Sequence, residues 1–191
     1  VVVVTSKIVS KAEGRTVELD QVVPSPFAVE WSAQWEKDPA VTEIVLRESK
    51  RVVRQIGPIL ITETHHGFVC ANSGIDLSNV QRGQAALLPI DSDRSARRIR
   101  DIVKAKLGVN VGVVISDTFG RPWRKGLTDV AIGVAGIAGV LDLRGTPDAL
   151  GRTMQVTEVA IADELASAAE LVMGKSNGVP VGIVRGADPE W

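Results

Sequence analysis

The chain has 191 residues, a formal net charge of −1 at pH 7, 45% hydrophobic residues and 24% charged residues. This length and composition predict one compact globular domain and exclude a disordered chain. The balanced charge excludes the basic footprint of a duplex nucleic-acid binder. The single cysteine, Cys70, excludes an internal disulfide, which fits a reducing cytoplasm.

Membrane insertion and secretion are excluded on similar grounds. The longest apolar stretch, Val130–Leu141, contains glycines and is shorter than the roughly 20 apolar residues of a membrane-spanning helix. The opening Val1–Val4 run has neither the basic flank nor the cleavage site of a signal peptide. We therefore expect a soluble, cytoplasmic protein without membrane or nucleic-acid partners. Because Val1–Thr5 already has the composition of a buried strand, we expect a truncated N-terminus, and the C-terminus is a second candidate for truncation.

Short runs rich in β-branched residues predict strands, in chain order Val1–Thr5, Pro58–Thr64, Val109–Ser116, Val130–Val134 and Val179–Val184. Helical spacing of apolar residues predicts helices that begin near Asp38, Asp91 and Ile161, and Gly174 supplies a stop for the third. After Asp38, the predicted apolar face consists of Val41, Ile44, Val45 and Val52. Because strands and helices mix without strict alternation, the sequence predicts an α+β (irregular mixed α/β) fold with mixed sheets and flanking helices. Residues 1–191 are expected to form a single domain.

Asp117 and Thr118 directly follow the predicted strand Val109–Ser116, and ligands of α/β proteins gather at such strand ends. A carboxylate beside a hydroxyl suits Mg²⁺ or Mn²⁺, which take hard oxygen ligands. The next residues, Phe119–Gly126, predict a stiff basic loop that carries Arg121, Arg124 and Lys125. An isolated Asp-Thr pair would more simply cap a turn, but together with the basic loop it favours an anion site.

Two further groups of polar residues are candidates for the same site. Asp76 and Asn79 are three residues apart, so a turn can point both the same way; the alternative is a self-satisfied turn. Lys7 and Lys11 would repel each other on a helix by roughly 0.2–0.5 kcal/mol, so an anion between them would explain the pair. The alternative for the lysines is two solvent-exposed side chains.

Gly174-Lys175-Ser176 is similar to the end of a phosphate-binding P-loop, but that interpretation is excluded. The pattern must follow a strand and open a helix, whereas here it closes one. A helix C-terminus is also the wrong end of the helix dipole for phosphate. Lys175 could still reach a ligand by another route.

These segments resemble the coenzyme F420-0:γ-glutamyl ligase family over essentially the whole chain. The matching stretches are VVTSKIVSKAEGR, HGFVCANSGIDLSN, LLPIDSDRSARRIR, SDTFGRPWRKGLTDVAIGVAGI, DELASAAELVMGK and VPVGIVRG. The resemblance implies a homodimeric ligase that uses GTP and two divalent ions, Mn²⁺ or Mg²⁺, with K⁺ as a further candidate ion. It implies that L-glutamate, and then further γ-linked glutamates, are added to the phospholactyl carboxylate of the deazaflavin F420-0.

The resemblance also assigns roles to residues. It implies that Asp76 and Asp117 bind one metal and Thr118 the other. It implies that GTP contacts include Ser6, Lys7, Lys11 and Asn79. A further nucleotide-binding stretch is implied at Met173, Gly174, Lys175, Ser176, Asn177, Gly178, Val179 and Pro180. Apart from the resemblance, the charge that the reaction must neutralise predicts catalytic assistance from Lys11, which would take phosphate, and from Arg121 and Arg124, which would take the substrate phosphodiester or the incoming glutamate.

The chain departs from the family pattern in two places. Many members have Gln or another oxygen-bearing side chain at the position of Lys175, which is associated with the second metal. We therefore expect a weakened second metal site and a contact between Lys175 and phosphate. Members also begin a few dozen residues earlier, with a segment that touches the nucleotide. Two alternative functions remain open: a metal-dependent phosphotransferase or hydrolase, and a non-catalytic nucleotide-binding domain.

Overall fold

A computed structural model describes all 191 residues of the chain. In chain order its elements are β1 (Val2–Thr5), α1 (Ser6–Ala12), β2 (Thr16–Glu18), α2 (Pro26–Trp35), α3 (Pro39–Arg47), β3 (Ser49–Ile56), β4 (Ile59–Thr64), β5 (Val69–Ala71), β6 (Gln84–Ala86), α4 (Ser92–Leu107), β7 (Val113–Arg121), β8 (Arg124–Ala135), β9 (Leu141–Asp142), β10 (Glu158–Val159), α5 (Ile161–Met173) and β11 (Val181–Ile183). The predicted α+β class is confirmed. None of the helices combines the length and apolar character needed to cross a membrane.

The chain divides into two compact units, each assembled from separate segments. Unit 1 comprises Val1–Ser6, Asp91–Thr118 and Leu127–Trp191. Unit 2 comprises Lys7–Ile90 and Phe119–Gly126. The expectation of a single domain stays a prediction.

Unit 1 is built on a four-stranded sheet with the order β11-β1-β7-β8. β1 pairs antiparallel with β11 and parallel with β7, and the parallel register sets Thr5 opposite Ser116. One face of the sheet is covered by α5, whose side chains form a buried core with Val3 and Val114. Parallel strands buried in this way explain the continuous valine runs that predicted β1 and β7.

The ends of α4 follow from its sequence. The Asp91 side chain accepts a hydrogen bond from the Arg94 backbone N–H at 2.8 Å, which caps the first turn. Gly108 ends the helix in a left-handed conformation with φ of 72°. At Gly133 on β8, a Cβ would lie 2.4 Å from the Ser92 carbonyl carbon, so only glycine permits this approach to the start of α4. The predicted helix is thereby confirmed and tied to the sheet.

Unit 2 contains the three-stranded antiparallel sheet β3-β4-β5 and the two-stranded sheet β2-β6. The predicted Asp38 cap and first-turn Pro39 of α3 are confirmed, with Asp38 Oδ1 accepting from the Ala40 N–H at 2.8 Å. The α3 side chains enter two buried clusters, one with Trp31 and the other with Ala85.

Two sequence predictions are wrong in this part of the chain. Val52 does not belong to the apolar face of α3, because that helix ends at Arg47 and Val52 lies in β3. The segment Phe119–Gly126 is not a loop, because β7 continues to Arg121 and β8 already begins at Arg124. In both cases hydrogen bonding to a neighbouring strand extends a β-structure that local composition did not predict.

Glu43 on α3 is a buried carboxylate that fixes the start of α2. It accepts hydrogen bonds from the Ser25 backbone N–H and from Arg47 Nε, each at 2.8 Å. Hydrogen bonds from Ser25 and then from Arg47 lower the pKa of Glu43 from 4.5 to about 2. A carboxylate with a lowered folded-state pKa stabilises the fold above its unfolded pKa, and this stabilisation is lost as the pH falls through the folded pKa.

We therefore expect Glu43→Gln to lower the free energy of unfolding at pH 7 by on the order of 1 kcal/mol, because the half-exposed Arg47 is partly screened by water. The difference from wild type should shrink as the pH falls from 4.5 towards about 2. Urea unfolding at several pH values measures it. Glu30→Gln, on the exposed face of α2, is the control. A difference that does not change with pH would contradict the linkage.

Candidate functional site

The parallel pairing of β1 with β7 places Ser6 beside Asp117. Ser6 is the residue after β1, and its Oγ donates a hydrogen bond to Asp117 Oδ1 at 3.0 Å. The neighbouring pair Thr5 and Ser116 is in register across the two strands. Two predicted site residues from distant parts of the sequence therefore meet at one edge of the sheet. Asp117 and Thr118 lie within β7 and not after its end, which corrects the predicted strand boundary at Ser116.

The other face of β7 carries a buried hydroxyl–carboxylate network. Alternate residues of a strand share a face, and both Ser116 and Thr118 donate hydrogen bonds to Asp129 on β8. Ser116 Oγ lies 3.2 Å from Asp129 Oδ2, and Thr118 Oγ1 lies 2.7 Å from Asp129 Oδ1. Asp129 is only 5% exposed, so its charge requires a partner within the protein.

Lys175 provides that partner. Its Nζ lies 2.7 Å from Asp129 Oδ1, 2.6 Å from Thr118 Oγ1 and 3.1 Å from Glu170 Oε1. We call these four residues the Lys175 cluster. Burial lowers the pKa of the Lys175 ammonium, but hydrogen bonds to Asp129 and Glu170 outweigh burial and leave the pKa above its ordinary value. The ammonium is therefore fully charged at neutral pH.

Asp129, together with Glu170 and Ser78, is a site residue that the sequence analysis missed. The only local indication was a carboxylate at the start of the apolar strand pattern that begins at Val130. Such a residue also occurs at ordinary strand ends, so its role becomes apparent only when Lys175 and Thr118 are placed beside it.

In unit 2 a second cluster brings together four predicted site residues. Lys7 Nζ lies 2.5 Å from Asp76 Oδ2 and 2.8 Å from Ser78 Oγ. Lys11 Nζ donates to the backbone carbonyl of Asn79. The two lysines come from α1 and their partners from the segment before β6, so we call these five residues the Lys7 cluster. Lys7 therefore has a carboxylate partner within the chain. The anion predicted between Lys7 and Lys11 would bind in addition to this partner.

The Asp76–Asn79 segment has a defined conformation. Asp76 exchanges two backbone hydrogen bonds with Ala86, at 3.0 and 2.8 Å, and Asp76 Oδ1 accepts from the Ser78 N–H at 2.6 Å. Asn79 adopts a left-handed conformation with φ of 54°, which asparagine tolerates better than most residues. Burial raises the pKa of Asp76, but hydrogen bonds from Lys7 and Ser78 outweigh it and lower the pKa below its ordinary value. Asp76 is thus an anion at neutral pH.

The predicted basic segment is the tip of the β7–β8 hairpin. Its turn exposes Trp123 (79% exposed) together with Arg124 and Lys125. Arg121 donates from a guanidinium nitrogen to the Lys125 carbonyl at 3.3 Å, which closes the turn. Phe119 packs edge-on against Phe68, with ring centroids 6.0 Å apart. The hairpin therefore presents two cations and an indole ring to solvent.

The predicted nucleotide-binding stretch leads from the end of α5 to β11. Met173 is a buried core residue, and Gly174 ends the helix with φ of 64°. Pro180 accepts a hydrogen bond from the Thr5 N–H at 3.0 Å, so the end of the stretch lies beside the end of β1. Of its residues, Lys175 is the one placed in a polar cluster with Thr118.

In unit 1, the Asp117 carboxylate and the Ser6 hydroxyl are oxygen donors of the kind that a hard divalent cation selects. In unit 2, Asp76 also offers a carboxylate, but its Oδ2 is already paired with the Lys7 ammonium. No group of three or more His, Cys, Asp or Glu side chains forms a cage for a metal. At Thr118 the position of a cation is already taken by the Lys175 ammonium, so the residues there do not fit a metal as they stand.

Unit 1 thus carries Asp117 and the Lys175 cluster, and unit 2 carries the Lys7 cluster. Comparison with known proteins identifies the family. A family model described as F420-0:Gamma-glutamyl ligase matches residues 1–186. The chain therefore belongs to the F420-0:γ-glutamyl ligase family and is a ligase, as the sequence resemblance predicted.

Three relatives show how far the likeness extends. Each carries the name coenzyme F420:L-glutamate ligase. The protein from Methanocaldococcus jannaschii is 47% identical over 189 residues, which is 98% of this chain and 76% of that protein. The protein from Methanopyrus kandleri is 48% identical over 192 residues, 100% of this chain and 76% of that protein. The protein from Methanothermobacter thermautotrophicus is 46% identical over 187 residues, 97% of this chain and 74% of that protein.

We expect Asp129→Asn to lower the free energy of unfolding by about 2–3 kcal/mol, because it removes a buried charge and leaves part of the Lys175 cluster unpaired. Thermal unfolding followed by circular dichroism measures the change. Asp142→Asn is the control, because Asp142 pairs with Arg144 at the surface and should have the smaller effect. If the two substitutions lowered the free energy of unfolding equally, Asp129 would stabilise unit 1 no more than a surface ion pair does.

Proposed function

We propose that this ligase joins L-glutamate to the phospholactyl carboxylate of F420-0, followed by further γ-linked glutamates, at the expense of GTP. The names of the relatives support the glutamate and F420 substrates. The observation that supports GTP as a substrate is the Lys7 cluster. In this cluster the fold brings together residues from two distant segments, namely Lys7, Lys11, Asp76 and Asn79. Two ammonium groups beside a carboxylate are the groups that a nucleotide triphosphate with a bound cation requires.

The chemistry requires activation of a carboxylate, because a free carboxylate does not react with an amine at neutral pH. Transfer of the GTP γ-phosphoryl group to the lactyl carboxylate breaks the β–γ phosphoanhydride bond and gives an acyl phosphate and GDP. The glutamate amine then attacks the acyl carbon, phosphate leaves, and one amine proton is released. Phosphoryl transfer depends on positioning and charge neutralisation more than on covalent help from the protein.

The lysines of the Lys7 cluster supply that neutralisation. Lys7 is bound to Asp76, and Lys11 to a backbone carbonyl, so both ammonium groups are held in place before a ligand arrives. When phosphate binds, Lys11 can exchange a neutral carbonyl for an anion, which strengthens its hydrogen bond. Arg121 and Arg124 of the hairpin are assigned to the anionic groups of the deazaflavin or the incoming glutamate.

Asp76 and Asp117 are assigned to hold a divalent cation, Mn²⁺ or Mg²⁺, with K⁺ as a further candidate ion. The bound cation would screen the repulsion between the two anionic reactants and stabilise charge on the transferred phosphoryl group. The protein's own part is to hold both carboxylates ready for the cation. The lowered pKa keeps Asp76 ionised, and the Ser6 hydroxyl orients Asp117 through its hydrogen bond.

A homodimer belongs to the same proposal, as does a cytoplasmic location, where GTP and glutamate are available. The support on this chain is the β3-β4-β5 sheet, which leaves several large apolar side chains exposed, namely Val52, Val53, Ile56, Ile59 and Val69. Burial of exposed apolar side chains between two protomers stabilises oligomers in water.

Coupled turnover tests the function as a whole. We expect GDP and phosphate to form only when GTP, Mn²⁺, L-glutamate and F420-0 are all present, with one GDP formed for each glutamate added. Mass spectrometry of the deazaflavin and a phosphate assay measure the two products. Phosphate release without glutamate or deazaflavin would identify a phosphotransferase or hydrolase instead, and product formation without nucleotide would exclude the GTP step.

We expect Asp117→Asn to reduce the ligase rate by at least about a hundredfold while the fold stays intact, because the amide lacks the charge that a divalent cation needs. The Ser6 hydrogen bond can still be accepted by the amide oxygen, so thermal stability should change little. Asp101→Asn, on the exposed face of α4, is the matched control. Near-normal activity of Asp117→Asn at limiting Mn²⁺ would show that Asp117 is not a metal ligand.

A further inference from the structure

The Lys175 cluster has the composition of a small-cation site that already contains its cation. Three oxygen atoms, from Thr118, Asp129 and Glu170, lie within 3.1 Å of a single positive group. Two of the three are carboxylate oxygens. Hydroxyl and carboxylate oxygens are the ligands that hard divalent cations select.

We propose that the Lys175 ammonium takes the place of a divalent cation on Thr118, Asp129 and Glu170. The chain thus carries a tethered organic cation at the position where the family resemblance implies the second metal. The proposal rests on the proposed function only for the number of metals that catalysis is expected to use. The exclusion of a metal by the Lys175 side chain does not depend on which reaction the protein catalyses.

Electrostatics explains why the ammonium excludes a metal. Asp129 is buried, and a buried carboxylate that loses its partner costs several kcal/mol, so a cation must stay beside it. A second cation at the same oxygens would meet the ammonium at less than about 4 Å, where two like charges repel each other.

The position of Lys175 in the chain favours the ammonium over a dissolved ion. Met173, two residues earlier, is anchored in the core, and Gly174 fixes the end of α5. The side chain therefore starts next to its ligands, and its effective concentration exceeds that of any free ion. Glu170 lies in the last turn of α5, and Lys175 follows shortly after the end of this helix. α5 itself therefore supplies one of the three oxygen ligands.

The consequence is a difference in charge at one site. A divalent ion would neutralise both Asp129 and Glu170, whereas the ammonium neutralises only one of them. With the ammonium in place, the cluster therefore keeps a net negative charge. Without the ammonium, its two carboxylates would attract a divalent ion. Removal of the ammonium should create a metal site, which an ordinary structural ion pair would not do.

Mn²⁺ titration of the full chain, with no nucleotide or deazaflavin present, tests the proposal. Free Mn²⁺ is followed by electron paramagnetic resonance, and thermal unfolding is recorded with and without Mn²⁺. Lys175→Gln should bind one more Mn²⁺ per chain than wild type, or bind Mn²⁺ at least about tenfold more tightly. Its Tm should also rise with Mn²⁺ more than the Tm of wild type. Lys106→Gln, an exposed lysine on α4, should behave as wild type.

Two further variants make the outcome decisive. Lys175→Gln combined with Asp129→Asn should lose the additional Mn²⁺, because a carboxylate ligand is gone. Lys175→Met removes the ammonium without offering a ligand oxygen, and it should gain Mn²⁺ binding that is weaker than that of Lys175→Gln. Unchanged Mn²⁺ binding in both single variants would overturn the proposal. Loss of folding that Mn²⁺ does not restore would overturn it too, because the ammonium would then be a structural group that no metal can replace. Failure of ligase activity with Mn²⁺ binding as expected would count against the proposed function alone.

Discussion

The buried parallel pairing of β1 with β7 is the contact on which the arrangement of unit 1 depends. Parallel strands end at the same edge of a sheet, so the register of Thr5 with Ser116 brings Ser6 to Asp117. Val3, Val4, Val113 and Val114 are at most 5% exposed, so both faces of the two strands are buried. The register of these buried strands in turn positions the polar side chains.

Strand β7 carries polar side chains on both of its faces, and the two faces have different partners. Asp117 points towards Ser6, whereas Ser116 and Thr118 point towards Asp129. Each polar group has its partner inside its own cluster, as burial requires. In unit 2, Lys7 and Asp76 are paired in the same way. Contacts of this kind hold the lysine side chains in fixed orientations, so anionic ligands meet cations that are already in place.

The elements with strong local patterns were predictable from the sequence. Asp38 with Pro39, and Asp91 with Gly108, cap α3 and α4 through contacts within a few residues, so local composition determines where these helices begin and end. The extension of β7 to Arg121 and the hairpin that follows it were not predictable. Polar and glycine-rich residues such as Phe119–Gly126 have weak strand propensity, and pairing with a neighbouring strand overrides it.

The sequence predicted most residues of the candidate site, but it did not predict which of them contact each other. The side-chain types of Lys7, Asp76 and Asp117, together with the family resemblance, were enough to select them as binding residues. Their partners were not, because hydrogen-bond partners more than sixty residues apart depend on which strands pair and in what register. Asp129 shows this most clearly, since an acidic residue at the start of a strand has no distinguishing local pattern.

The sequence by itself determined the α+β class, the helix caps, the family and the unusual lysine at position 175. Only the tertiary structure decided that this lysine binds Asp129, Thr118 and Glu170. The physical reason is that propensity and capping act over a few residues, whereas the partner of a buried charge is chosen by the packing of the whole unit. A buried carboxylate must be neutralised by whichever cation the fold brings within reach, and here the fold brings an ammonium from the end of α5.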